Sequence, residues 1–139
     1  GHLVLSTLHT TDCPTTINRI IDVFPSHQQQ QVRVQLSMVL QAVYSQMLLP
    51  KSTGVGRVLA CEVLIATPAV RNLIREGKTE QLYTVMQTSA KMGTQTMNMV
   101  LANLYMKKII TKDEALSNSN DPEELKKLLL QASPLLSGV

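Results

Sequence analysis

The chain has 139 residues, of which 44% are hydrophobic and 3% aromatic, and its formal net charge is +3. This length is sufficient for one domain with a hydrophobic core. The weak, scattered positive charge and the scarcity of aromatic side chains argue against a nucleic-acid-binding surface, which requires a dense basic face or stacking platforms.

The cysteine content and the hydropathy pattern argue against further classes. Cys13 and Cys61 belong to no CxxC pair, so we expect reduced thiols rather than a disulfide framework. No apolar run reaches the roughly 18 residues needed to cross a bilayer, so no transmembrane segment is predicted. No signal peptide is predicted either, because the first residues lack a basic segment and a small-residue cleavage site.

A strand and a helix are predicted first. Residues 3–9 (LVLSTLH) are apolar on both faces at first, as in a strand covered by helices on both sides. Either Thr11 or Asp12 is positioned to cap the helix that follows. This helix is expected to end near Val23, because Pro25 disfavours helical backbone in the residue before it.

The most regular helical pattern begins at residue 26. Ser26 and Gln29 form a candidate capping box at its start. Apolar residues then recur at helical spacing and predict one buried stripe. The stripe consists of Val32, Leu36, Val39, Leu40 and Val43. The other face is rich in glutamine and nearly uncharged, which is typical of a solvated surface and also compatible with an interface.

Two strands and a capped helix are predicted next. Residues 44–50 and 57–66 have the composition of strands, and the glycine-containing loop KSTGVG at 51–56 joins them as a hairpin. In the helix that follows, Thr67 is at the N-cap position and Gly77 supplies the C-terminal stop.

The rest of the chain is predicted to be mainly helical. A short helix is expected over residues 79–89 and a longer one within 94–108. Two candidate capping boxes follow, Thr111 with Glu114 and Asp121 with Glu124. Residues 133–139 (SPLLSGV) are predicted to be a loose tail.

No local motif completes a catalytic site by itself. The stretch PKSTG is similar to the end of a phosphate-binding loop, but Pro50 before Lys51 removes a backbone donor and no Gly-x4-Gly precedes it. Glu62 lies inside a predicted strand and is interpreted as half of a structural ion pair. His2 and His9 are an odd number of residues apart, so in a regular strand they face opposite sides and could bind one metal ion together only if the strand contained a bulge.

Two stretches resemble signatures of one family. Residues 1–12, GHLVLSTLHTTD, resemble the histidine box of the secretion and pilus motor ATPases. Residues 69–78, AVRNLIREGK, resemble the signature AIRNLIRE of the type IV pilus retraction ATPases, with Val70 in place of isoleucine. Collinear matches at 17–25, 56–68 and 93–101 extend the resemblance over about residues 1–115. The two separate cysteines favour the retraction branch, because the other branches usually carry a four-cysteine zinc subdomain here.

The resemblance implies an α/β fold: the C-terminal part of a RecA-like P-loop ATPase domain, with few strands and a predominantly helical C-terminal layer. It divides the chain into part of the ATPase core at 1–67, a helical subdomain with the retraction motif at 68–132, and the tail at 133–139. The family's phosphate loop and metal-binding acid are absent from this sequence. We therefore expect a fragment that is inactive as an ATPase on its own.

For the whole protein, the resemblance implies a homohexamer, cytoplasmic and peripheral at the inner membrane, that uses ATP and Mg to drive pilus retraction and twitching motility. Its expected partner is the platform protein of the inner membrane, and nucleic acid is not an expected partner. Neither ATP nor a metal ion is expected to bind to this chain alone. The alternative, from another class, is a non-catalytic helical interaction module.

The resemblance also assigns site residues. It implies that His9, with Thr7 and His2, senses the γ-phosphate of ATP, since an imidazole can donate a hydrogen bond to a phosphate oxygen. By the residues alone, His9 is more simply a histidine bonded to backbone at a strand end. The retraction motif consists of Ala69, Val70, Arg71, Asn72, Leu73, Ile74, Arg75 and Glu76. Its spacing alone describes an amphipathic surface helix, whereas the resemblance implies that its polar residues Arg71, Asn72, Arg75 and Glu76 contact another subunit or a partner.

Overall fold

The computed structural model describes residues 1–132, and the predicted tail at 133–139 lies outside the described residues. The elements in chain order are α1 (Cys13–Asp22), α2 (Ser26–Val39), β1 (Ala42–Pro50), β2 (Arg57–Ile65), α3 (Pro68–Glu76), α4 (Leu82–Thr88), α5 (Met97–Met106), α6 (Lys112–Ser117) and α7 (Pro122–Ala132). Short 3₁₀ helices at Thr79–Gln81 and Ala90–Met92 flank α4. This arrangement confirms the predicted α/β class, with few strands and a mostly helical second half.

The hairpin of β1 and β2 contributes one face to two hydrophobic cores. The strands pair antiparallel from Ala42 opposite Ile65 to Pro50 opposite Arg57, which confirms the predicted hairpin. The first core consists of Cys13, Ile17, Ile21, Val43, Leu64, Val70, Ile74, Leu82 and Met86. The second core consists of Leu49, Ala60, Met97, Leu101, Ala102, Ile110, Ala115 and Leu125. Between these apolar ends, the buried face of the hairpin carries two polar residues that face each other across the strands, Ser45 and Glu62.

The predicted strand over residues 3–9 is not formed. Residues 1–10 have no regular secondary structure, and the apolar side chains of Leu3, Val4 and Leu5 are exposed. A strand is stable only when its backbone amides and carbonyls pair with a neighbouring strand. Within residues 1–132 the sheet contains only β1 and β2, which pair with each other, so this segment has no strand beside it.

Helix α2 is shorter than its apolar pattern predicts. Its first residue is Ser26, so the cap position falls on Pro25, which offers no side-chain acceptor, and the predicted box with Gln29 is wrong. The helix ends at Val39, where the next residue turns to extended backbone. Val39 is consequently at the helix end and 68% exposed, whereas Val43 reaches the core from β1.

Helices α6 and α7 confirm the predicted caps but not the reciprocal bonds of the capping boxes. The hydroxyl of Thr111 accepts from the Glu114 amide at 3.2 Å, and the Asp121 carboxylate accepts from the Glu124 amide at 3.0 Å. The Glu114 carboxylate accepts instead from Asn118, and that of Glu124 accepts from side chains of other helices. The second half of each box is wrong because both glutamates find other donors in the fold.

The two cysteines are free thiols in different environments, which predicts different reactivity. Cys13 is buried in the first core, and its thiol donates to the Val43 carbonyl at 3.5 Å. Burial raises the pKa of the Cys13 thiol, and it also raises the pKa of Cys61, which lies in a half-buried position. Because a thiolate is the reactive form, we expect Cys13 to be protected by both its burial and its raised pKa.

In a titration of the native chain with a chromogenic disulfide, Cys61 should therefore react first and Cys13 only on unfolding in guanidinium. The variant Cys61→Ser should show almost no native reactivity, and Cys13→Ser should keep the native reaction. Fast native labelling of Cys61→Ser would contradict the packing described for α1.

Candidate functional site

The segment that carries the histidine box is held at its C-terminal end. The hydroxyls of Thr10 and Thr16 are hydrogen-bonded at 2.6 Å, and the Ser45 hydroxyl of β1 donates to the Thr11 carbonyl at 2.9 Å. The Asp12 carboxylate caps α1 by accepting from the Thr15 amide at 2.7 Å, which confirms the predicted cap. The chain directly after His9 is thus bound to both α1 and β1.

The three predicted sensor residues precede the hydrogen-bonded residues 10–12 in the chain. His2, Thr7 and His9 are all exposed, and none of them forms a hydrogen bond to another residue within 1–132. The structure therefore does not join them into one site. His9 lies just before the fixed end, so its imidazole is exposed and has its donor and acceptor atoms free for a group from outside the described residues.

The retraction motif forms α3, with the local signals that the sequence predicts. The Thr67 hydroxyl accepts from the Val70 amide at 3.4 Å, and Pro68 occupies the first turn. Gly77 ends the helix in a left-handed conformation at φ 71°, which glycine adopts without strain. Val70 and Ile74 are buried in the first core and fix which face of α3 is solvent-exposed.

Arg71 binds the end of another helix in the same chain. Its guanidinium donates to the carbonyl of Ser37 at 2.8 Å and to that of Met38 at 2.9 Å, both in the last turn of α2. Carbonyls in a last helical turn have no partner within the helix and carry the negative end of the helix dipole. Arg71 therefore joins α3 to α2 inside the chain, which is a contact that the sequence did not predict.

The other polar residues of the motif form an exposed network. Arg75 donates to the Asn72 side-chain carbonyl at 2.6 Å, and the Asn72 amide donates to Glu76 at 2.9 Å. Lys78 forms a salt bridge with Glu76 at 2.8 Å, and its hydrogen bond holds the pKa of the Glu76 carboxyl below its usual range. Gln30 of α2 donates to the Arg75 carbonyl at 3.2 Å. This network presents one ordered polar surface of α3 beside the glutamine-rich face of α2.

Glu62 is a functional candidate whose environment the sequence mispredicted. It is 1% exposed, and its two carboxylate oxygens accept from the backbone amides of Cys13 at 2.7 Å and Met97 at 3.1 Å. These are the first residues of α1 and α5. The expected ion pair is wrong, because helix N-terminal amides rather than a cation bond to the carboxylate. The sequence does contain a signal for this environment. Glu62 is the one acidic residue of a mainly apolar strand, and a buried carboxyl group requires buried hydrogen-bond donors.

A second network was also missed, around Glu124 of α7. Its carboxylate accepts from the Tyr83 hydroxyl at 2.5 Å, from the Gln87 amide at 2.5 Å and from the Asn98 amide. Asn98 in turn accepts from the Ser119 hydroxyl at 2.6 Å. Burial, followed by the bond to Glu124, raises the pKa of the Tyr83 hydroxyl. This network joins α4, α5 and α7.

The β1–β2 loop does not fit the phosphates of a nucleotide. The Lys51 amide donates to the Gly56 carbonyl at 3.1 Å, the Ser52 amide to Ile109 at 2.8 Å and the Gly54 amide to Lys51 at 2.9 Å. Amides that are bonded within the backbone cannot cradle a phosphate. The loop geometry thus agrees with the exclusion of PKSTG as a phosphate loop.

Residues 1–132 contain no group of three or more His, Cys, Asp or Glu that could hold a metal ion. Over the same residues, every helix is too short or too polar to cross a lipid bilayer.

Comparisons with known proteins identify close relatives of this chain. It is 48% identical over 123 residues to the type IV pilus retractation ATPase PilT of Pseudomonas aeruginosa, a match that covers 88% of this chain and 36% of that protein. It is 46% identical over 125 residues to a twitching motility protein of Neisseria gonorrhoeae, covering 90% of this chain and 33% of that protein. The chain thus spans about a third of the length of these relatives. No protein-family model matches it.

A solved structure gives the same result for the fold. The crystal structure of the pilus retraction motor PilT with bound ADP matches this chain with a TM-score of 0.81 and 52% sequence identity. The match covers 91% of this chain and 35% of that one.

Proposed function

Since this chain belongs to the family of the type IV pilus retraction ATPases, we propose that it is part of a hexameric motor that couples ATP hydrolysis to pilus retraction. The observation that carries the proposal is the 48% identity to the Pseudomonas aeruginosa relative over 88% of this chain. Bound ADP in the matching crystal structure supports a nucleotide as ligand of the whole protein, with Mg as its expected metal. The nucleotide would be held mainly by residues that this chain lacks, so the chain alone is proposed to be inactive.

In this proposal His9 reports the state of the γ-phosphate. Its exposed imidazole donates to a phosphate oxygen while ATP is intact and loses that acceptor after hydrolysis. The hydrogen bonds of Thr10 and Thr11, which follow directly, transfer a shift of His9 to α1 and β1. Thr7 and His2 are proposed as supporting residues of the same segment.

The second proposed functional surface is the exposed network on α3. Asn72, Arg75 and Glu76 are oriented by one another and by Lys78, so little side-chain entropy is lost when a partner binds. We propose that this surface contacts a neighbouring subunit or the platform protein of the inner membrane, with the motor on the cytoplasmic side. Arg71 supports this surface indirectly, because it fixes α3 against α2.

The proposal for His9 is tested in the full-length protein with His9→Ala. Removal of a donor to the γ-phosphate is expected to lower ATP hydrolysis by about 10²-fold, while the affinity for ADP, which lacks that phosphate, changes little in equilibrium binding. The matched control is His27→Ala, which removes another exposed histidine, on α2. Hydrolysis by His9→Ala at the rate of the His27→Ala control would refute the sensor role.

A further inference from the structure

One buried carboxylate binds the first residues of two helices that are far apart in sequence. The oxygens of Glu62 accept from Cys13 at the start of α1 and from Met97 at the start of α5. Both helix starts are buried, and Glu62 itself is 1% exposed. Since Glu62 belongs to β2 of the paired hairpin, its side-chain carboxylate lies between α1 and α5 and is bonded to both.

These bonds are additional to the ordinary caps of the two helices. Asp12 accepts from the third residue of α1, Thr15, and Thr96 accepts from the third residue of α5, Met99. The amides of the first residues are left to Glu62. Two helix dipoles point their positive ends at this carboxylate, and the two amides satisfy its oxygens at a buried position.

We propose that Glu62 is a positioning residue that couples the histidine-box segment to α5. A shift of residues 10–12 moves the Cys13 amide, and the Glu62 oxygen that accepts from this amide moves with it. Because both oxygens belong to one planar group, the Met97 amide must follow or lose its acceptor. Helix α5 packs against α7 and carries Asn98 of the Glu124 network, so the shift continues into the C-terminal helices.

That His9 starts such a shift rests on the proposed function. The coupling of α1 to α5 through Glu62 does not depend on it. A carboxylate that only stabilises each helix separately predicts that a defect at one helix start leaves the other unchanged. If Glu62 couples the two helices, a defect at either helix start should destabilise the other helix start as well. Linkage requires that the factor is the same from α1 to α5 as from α5 to α1.

The experiment measures amide hydrogen exchange by NMR in the 139-residue chain. Thr96→Ala removes the cap of α5, and Asp12→Ala removes the cap of α1. We expect Thr96→Ala to raise exchange of the Cys13 amide, and Asp12→Ala that of Met97, by similar factors of about tenfold. Each rate is expressed relative to the Ile74 amide of α3, which corrects for a change in global stability.

Thr111→Ala is the matched control, since it removes an equivalent cap from α6 without a bond to Glu62. It should leave the relative rates of Cys13 and Met97 unchanged. Glu62→Gln adds a second arm, because an amide offers one acceptor oxygen in place of two. In that background the effect of Thr96→Ala on Cys13 should disappear.

The proposal is overturned if each cap variant affects only its own helix, or if the effects persist in Glu62→Gln. If Glu62→Gln does not fold, the comparison of Thr96→Ala with Asp12→Ala is sufficient to test the coupling. Its outcome is independent of ATP hydrolysis, so a failed coupling and a failed sensor role for His9 are distinguished.

Discussion

Replacement of Arg71 by alanine is expected to lower the free energy of unfolding by about 1.5–3 kcal/mol, whereas Arg75→Ala should change it by less than about 0.5 kcal/mol. The two arginines lie one helical turn apart in the same motif. Arg71 donates two charged hydrogen bonds to the last turn of α2, and its loss leaves the carbonyls of Ser37 and Met38 without that partner. Arg75 is exposed, and its side chain bonds only to Asn72 among the described residues.

Denaturant unfolding followed by circular dichroism measures the difference. Both bonds of Arg71 come from the same nitrogen, Nη1. Arg71→Lys is the informative intermediate, because its ammonium keeps the charge and more than one N–H donor but ends one bond closer to the backbone than Nη1. It should fall between the wild type and Arg71→Ala. Equal stability of Arg71→Ala and Arg75→Ala would contradict the contact between α3 and α2.

The same pair separates folding from function in the full-length protein. If the exposed network is the partner surface, Arg75→Ala should retain nucleotide binding and hydrolysis while pilus retraction, measured as twitching motility, is lost. Unchanged twitching would remove the support for this surface. A loss of twitching in Arg71→Ala, by contrast, is explained by the displaced helix and gives no evidence on partner binding.

The parts of this fold that the sequence predicts well are those determined by neighbours along the chain. The cap at Thr67, the proline at the first turn and the left-handed Gly77 specify α3 almost completely, because each acts within one helical turn. The hairpin is predicted for the same reason, since its loop and the alternating strands are adjacent. The segment over 3–9 is mispredicted because a strand depends on a neighbour that residues 1–132 do not supply.

The acidic residues show why the site was harder to predict. Glu62 bonds to residues 49 and 35 positions away, and Glu124 to a tyrosine 41 positions away. Short-range patterns in the sequence predict a local capping box for Glu124 and an ion pair for Glu62, since those are the interactions that such patterns describe. Only the packing of α1, α4, α5 and α7 around the hairpin determines which donors these carboxylates meet.

Glu124→Ala is expected to destabilise the chain by about 3 kcal/mol, since donors from α4 and α5 lose a shared acceptor. Asn98 is 1% exposed, so the amide hydrogen that Glu124 accepts has little access to water as a substitute, while the bond of the same amide to the Asp121 carbonyl at 2.9 Å remains. The cap of α7 at Asp121 remains, and the helix itself should persist. Because Leu125 keeps α7 in the second core, the expected result is a loosened start of α7, seen as faster limited proteolysis between residues 117 and 122.

The neighbouring glutamate provides the control. Glu123 is exposed and bonds to Lys126 in a surface salt bridge at 2.7 Å, so Glu123→Ala should cost less than about 1 kcal/mol. Equal effects of Glu123→Ala and Glu124→Ala would mean that the network does not hold α7 in place.

The network around Glu124 can also be tested through Tyr83, by measuring how the free energy of unfolding depends on pH. Its folded pKa is raised, first by burial and then by donation to Glu124, above an ordinary value of about 10. A raised folded pKa gives stability that is complete below the unfolded pKa and is lost as the pH rises above it. The wild type should therefore lose stability above about pH 10 more steeply than Tyr83→Phe, which has no proton to lose. The control is Tyr44→Phe at an exposed tyrosine, whose stability should depend on pH as that of the wild type does. If the stability of Tyr83→Phe also had the wild-type pH dependence, the Tyr83 hydroxyl would not be held in this network.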